Sequence, residues 1–107
     1  MDKDLDSIWK ALSDPTRREI LDRLRHGPLT TSQLVAAFPH LSRFGVMKHL
    51  DQLKQCRLVV VRKQGRYRYN SLNAVPLRQI YDHWVSKFAD HWAQTLIDIK
   101  GTTEQSQ

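Results

Sequence analysis

Two clusters of side chains in this 107-residue chain have the types and spacing to do chemistry. Ser42, Arg43, Phe44, Met47, Lys48 and His49 form the first, and Arg62, Lys63, Arg66 and Arg68 the second. A guanidinium offers a planar fork of N–H donors that matches paired acceptors or a phosphate, while an ammonium is a compact cation. Both clusters are therefore suited to recognising a polar edge or an anion, with Phe44 and Met47 adding apolar contact. Catalysis is not expected. The chain has no glycine-rich phosphate loop and no motif that would set Ser or Cys beside a base, so no catalytic residue and no cofactor is assigned.

The first cluster must be held by a helix. Ser42 is a good N-cap, and Leu41 and Val46 stand at the two positions of a hydrophobic staple. Val46, Leu50 and Leu53 fall at i, i+4 and i+7, which buries one face and turns Arg43, Phe44, Met47, Lys48, Asp51 and Lys54 outward. The helix is expected over 42–55. The second cluster must be held by a hairpin over 58–72. Leu58-Val59-Val60-Val61 is a short β-branched run, Gly65 supplies the positive φ of a tight turn, and Tyr67 to Leu72 returns.

Charge separates these elements from the rest. The net charge is +6, yet residues 41–70 hold eight Lys and Arg against Asp51 alone, so that segment is +7 and the remainder −1. Cations gathered in one segment are the footprint of a phosphate-binding surface. The single cysteine, Cys56, excludes an internal disulfide framework and a thiolate metal cluster within one chain. No apolar run is long enough to span a bilayer, and the first residues do not open a signal peptide. A cytoplasmic protein without a membrane partner is expected.

The other elements follow from caps and periodicity. Leu5, Ile8, Trp9 and Leu12 mark a first helix. Asp14 caps a second with Pro15 at its first position, and Gly27-Pro28 ends it. Thr30 and Gln33 form a capping box for a short third helix that buries Leu34, Val35 and Phe38. Pro39-His40-Leu41 then turns into the helix described above. Short helix, tight turn and longer helix make a helix-turn-helix, and the basic hairpin behind it makes a wing. Leu77, Ile80, Tyr81, Trp84, Val85, Phe88, Trp92, Leu96 and Ile99 predict one last helix over 75–100, about 37 Å long at 1.5 Å per residue.

The expected fold is mainly α with a two-stranded β-hairpin wing, ordered α-α-α-α-β-β-α. Residues 1–100 form one domain, and 101–107 are a disordered tail. The aromatic last helix is long for so small a core, which suggests a homodimer through the first and last helices, with Leu5, Ile8, Trp9, Trp84, Phe88 and Trp92 at the interface.

The chain also resembles the ArsR-type winged helix-turn-helix repressors of prokaryotes. The residues that carry the resemblance are Ala11 to Leu21, Val46-Met47-Lys48-His49-Leu50 with Leu53, Leu58-Val59 and Gly65-Arg66. It extends from about Leu5 to Lys100. Leu72 to Leu77 and Trp84 to Ala89 look like a branch that lacks the cysteine metal box. The resemblance implies a dimeric repressor on a double-stranded DNA operator, placed at the prokaryotic nucleoid. It also implies base-reading positions at Arg43, Phe44, Met47 and Lys48, with Ser42 and His49 beside them. Many relatives have small polar residues where this chain has Phe44 and Met47, and Arg57 replaces a frequent helix-ending glycine.

Two alternatives stand beside this reading: a protein-binding winged-helix module and a metal-responsive regulator. The family's thiolate box would lie on the helix from Thr31 to Phe38, where no cysteine occurs. His83 and His91 are about 12 Å apart along one helix. They cannot share an ion within one chain, although two antiparallel helices could bring them together. No metal site is assigned. Aromatic residues of the first and last helices could line a slot for an unknown small-molecule effector.

Overall fold

In the computed structural model, residues 2–105 are described. The order is α1 (Asp2–Leu12), α2 (Pro15–Leu24), β1 (Leu29–Thr30), α3 (Thr31–Ala37), α4 (Arg43–Gln55), β2 (Val59–Gln64), β3 (Tyr67–Leu72), α5 (Val75–Ile80), one π-helical turn (Tyr81–Val85) and α6 (Ser86–Gln105). The backbone groups into two compact units, Met1–Leu77 and Arg78–Gln107.

In the first unit the caps expected from sequence set the boundaries. The Asp14 carboxylate accepts from the Arg17 amide, and Pro15 opens α2. Thr30 and Gln33 make the reciprocal capping box of α3, at 3.1 and 2.8 Å. Ser42 Oγ accepts from the Gly45 amide at 3.0 Å to open α4. The core these helices close over is apolar: Ile20, Leu21, Leu24, Leu34, Phe38, Val46, Leu50, Leu53, Leu58 and Val59 are all buried.

A third strand joins the hairpin. The sheet order is β1-β3-β2, with Leu29 opposite Asn70 and Thr30 opposite Tyr69. Two residues are too few to show an alternating pattern. They extend only because they lead into the cap of α3 beside β3.

The second unit departs from the expected single α-helix. α5 and α6 are separated by the π turn, which widens the helix by one residue per turn there. α6 also runs to Gln105, so residues 101–105 are helical where a disordered tail was expected. An existing helix extends at one hydrogen bond per added residue, and Gly101 opposes this by only about 1 kcal/mol. Residues 106–107 of that tail lie outside the described residues. Among the described residues no helix is long and apolar enough to cross a membrane.

Candidate nucleic-acid interface

α4 is anchored on one side and open on the other. Val46, Leu50 and Leu53 are 2% exposed or less, whereas Ser42, Arg43, Phe44, Met47 and Lys48 face outward. Phe44 is 77% exposed.

The end of α4 aims the wing. The Leu58 amide bonds Leu53 O and the Arg57 amide bonds Lys54 O, both at 3.0 Å, which is the Schellman pattern. Leu53 and Leu58 are both fully buried, supplying its apolar contact. Arg57 occupies the left-handed position at φ 64°, a conformation costing an L-residue about 1–2 kcal/mol. Asn73 braces this corner, donating from Nδ2 to Arg57 O and from its amide to Leu58 O, both at 2.9 Å. Arg57→Gly is therefore expected to raise stability by about 1 kcal/mol, because glycine's greater freedom when unfolded offsets part of the relief. Urea melts of the two proteins check this, and an unchanged or lower midpoint contradicts it.

The wing turns at Gly65-Arg66, with Gly65 at φ 63° in the first central position, as a type II′ hairpin turn requires. Residues directly opposite in the ribbon share a face. Arg68 pairs with Lys63 and Asn70 with Val61, while Arg62 pairs with Tyr69 and Val60 with Ser71. The four wing cations are thus divided. Arg66 and Arg68 line a cleft of about 140 Å³ together with Arg43, Met47 and Lys54 of α4 and Thr30 and Thr31. Lys63 shares the Arg68 face by register. Arg62 lies on the other face, over a groove with Pro28, Val60 and Tyr69. The period-2 alternation of a strand makes that separation unavoidable.

The electrostatics of the cleft favour an anion. Its one acid, Asp51, is met by Lys54 at 3.0 Å. Among the described residues none of Arg43, Lys48, Arg66 or Arg68 is in an ion pair. Lys54 and Asp51 follow Arg43 and Met47 down the same helical stripe. That period is visible in the sequence, which turns both residues outward without marking them as contacts. Thr30 and Thr31 carried no such signal.

His49 departs from the expected set. Its ring is half-buried, with Nδ1 3.8 Å from Asp14 and 3.4 Å from an Arg17 guanidinium nitrogen. At i+3 from Val46 it sits at the flank of the buried stripe, so α2 captures it. Arg17 also donates to Ala11 O at 2.8 Å and Lys10 O at 3.1 Å, closing the end of α1. Burial works against the Asp14 carboxylate, but the Arg17 amide, His49 and the Arg17 guanidinium outweigh it and hold its pKa below the usual value. A depressed carboxylate stabilises the fold above its unfolded pKa and loses that contribution as pH falls through the folded one. The contribution of Asp14 to this junction is therefore lost in acid.

Of the expected interface residues, Ile8 is 3% exposed and so is already buried within its own chain. Leu5 is half-buried, and Trp9 is 42% exposed. In the second unit Trp84, Phe88 and Trp92 are about half exposed, and the rings of Trp84 and Phe88 lie tilted against each other with centroids 4.5 Å apart. Leu96 extends the same i, i+4 stripe. No group of three or more His, Cys, Asp or Glu among the described residues is arranged to hold a metal ion.

Comparison with known proteins agrees with this geometry. A family model described as a helix-turn-helix domain matches residues 12–62. The chain is 39% identical to the HTH-type transcriptional regulator Rv2034 of Mycobacterium tuberculosis, over 90% of this chain and 91% of that protein. It is 34% identical to the transcriptional repressor SdpR of Bacillus subtilis, over 78% and 91%. Among solved structures it is similar to an ArsR-like transcriptional regulator from Rhodococcus sp. RHA1, with a TM-score of 0.76, 32% identity and coverage of 96% and 93%. It is also similar to the homodimeric winged helix-turn-helix DNA-binding domain of Mb0332 from Mycobacterium bovis, a possible ArsR-family regulator, with a TM-score of 0.65, 25% identity and coverage of 82% and 80%.

Proposed function

Because this chain belongs to the ArsR family of winged helix-turn-helix transcriptional regulators, we propose that two copies of it bind an operator duplex and repress transcription from it. α4 enters the major groove, where Ser42, Arg43, Phe44, Met47 and Lys48 meet base edges, and the wing lies on the backbone. The observation that carries this is the cleft that sets Arg43 and Met47 of α4 beside Arg66 and Arg68 of the wing. One duplex surface would touch all four. Arg43 is suited to forking onto guanine, and Phe44 to lying against a thymine methyl. Arg66, Arg68 and Lys63 are suited to phosphates, with Arg62 outside the set.

In this reading residues 1–100 work as one DNA-binding domain, and 75–100 supply its dimerisation helix. The exposed stripe of Phe88, Trp92 and Leu96 supports that role. The two reading helices then meet half-sites about one helical turn apart, so the operator is an imperfect palindrome. The protein acts in the cytoplasm, where the chromosome is.

Selecting bound fragments from genomic DNA and reading out the shared motif tests the proposal. A palindromic motif with log K falling steeply as log salt rises is the expected result. A flat salt response favours the protein-binding alternative instead. Arg43→Ala is expected to reduce preference for the selected operator over scrambled DNA by about 1–3 kcal/mol. Equal loss on both duplexes removes its base-reading role.

A further inference from the structure

A two-stranded ribbon is marginally stable on its own in water, and its cations hold phosphates only if it keeps one angle to the reading helix. Asn70, in the middle of β3, is 1% exposed, the one buried polar side chain among the described residues. Its Nδ2 donates to Leu29 O at 3.2 Å and to Thr31 Oγ1 at 3.1 Å. One amide group thus grips the two sides of the Thr30 cap where α3 begins. Asn70 also faces Val61 across the ribbon and Leu29 across the sheet. It lines the same cleft as Arg43, Arg66 and Arg68.

Strands disfavour asparagine, and a buried amide is costly unless its hydrogen bonds are made. A β-branched residue would serve the strand better. What it could not do is add a side-chain link from the wing to the entrance of α3, the first helix of the helix-turn-helix pair, beside the two-residue pairing of β1 with β3. We propose that Asn70 is a positioning residue: its amide clamps β3 to the start of α3 and so sets Arg66 and Arg68 at phosphate height beside α4. The inference rests on the duplex-binding reading above. It adds that the wing's contribution depends on a side chain that touches no DNA.

Asn70→Leu keeps the volume, adds no charge and removes the donor. Thr31→Val removes one acceptor with little change of shape. Binding to a scrambled duplex is measured across a salt series for wild type, N70L, R66A and the double variant, at a temperature where circular dichroism shows each to be folded. The slope of log K against log salt is expected to fall by about one in R66A and by about two in N70L, since Arg66 and Arg68 are both displaced. Arg66→Ala is then expected to cost almost nothing further in the N70L background. A wild-type slope in N70L, with the full penalty for Arg66→Ala retained, overturns the inference. If N70L does not fold, T31V decides: a reduced slope supports the clamp, and a wild-type slope in the folded variant overturns it. Wild-type protein that binds no duplex at all overturns the functional reading together with the clamp. Additive losses in a protein that does bind overturn the clamp alone.

Discussion

Replacing Phe38 by alanine is expected to remove about 3–5 kcal/mol of stability, the range for deleting a fully buried aromatic ring. Phe38 is 0% exposed and the largest fully buried side chain of the core. Its backbone makes the turn between α3 and α4, with its amide bonding Val35 O at 3.2 Å and its carbonyl accepting from the Leu41 amide at 3.0 Å. The ring lies beneath this turn, with the Arg23 guanidinium 5.6 Å from its centroid. The cavity therefore opens under the hinge that orients the reading helix. A small domain holds only about 5–15 kcal/mol in total, so the variant should be largely unfolded on mild warming and should lose operator binding with its fold. Urea unfolding at matched protein concentration checks this. A midpoint within experimental error of wild type would falsify the assignment of Phe38 to the core.

The second large effect is expected at the proposed subunit interface. Trp92 is 57% exposed on α6 in a single chain, four residues from both Phe88 and Leu96, which are 47% and 62% exposed. Aromatic anchors at the centre of an interface typically contribute the most to binding, and truncating one costs about 2–4 kcal/mol. Trp92→Ala should then weaken the dimer by roughly 30- to 1,000-fold in its dissociation constant. Sedimentation of wild type and variant over a dilution series reads this directly. Secondary structure in the first unit should be little changed, and operator affinity should fall because half-sites are no longer held in pairs. An unchanged dissociation constant would remove the α6 stripe from the interface.

Structure held by local interactions is legible in the sequence. Asp14 with Arg17, Thr30 with Gln33 and Ser42 with Gly45 each lie three residues apart, so their caps can be read from residue types and spacing alone. Gly65 marks its turn because few other residues accept its φ. Arg57 stands where the same ground favours a glycine, and it takes up the left-handed conformation. Side-chain surroundings are not legible where one strand position or one helix flank decides them. Arg62 and Lys63 are neighbours in a charge count but lie on opposite faces of the ribbon. His49 adjoins Lys48 in the sequence, but the helix turns it toward Asp14. Ile8 shares a helical stripe with Leu5 and Trp9, and it is buried in its own chain.

By itself the sequence determined the order of the first four helices and the hairpin, the capped starts of α2, α3 and α4, the apolar faces they bury and the concentration of cations on α4 and the wing. All of these depend on contacts within about one helical turn or on the period of a single element. Only the tertiary structure decided the third strand, the junction of Arg17 with His49, the grip of Asn70 on the start of α3 and the division of the wing cations between two faces. The first three join residues 32 to 41 positions apart, where no local period carries information. The last depends on the ribbon's register, which is fixed by pairing across the turn and not by either strand alone.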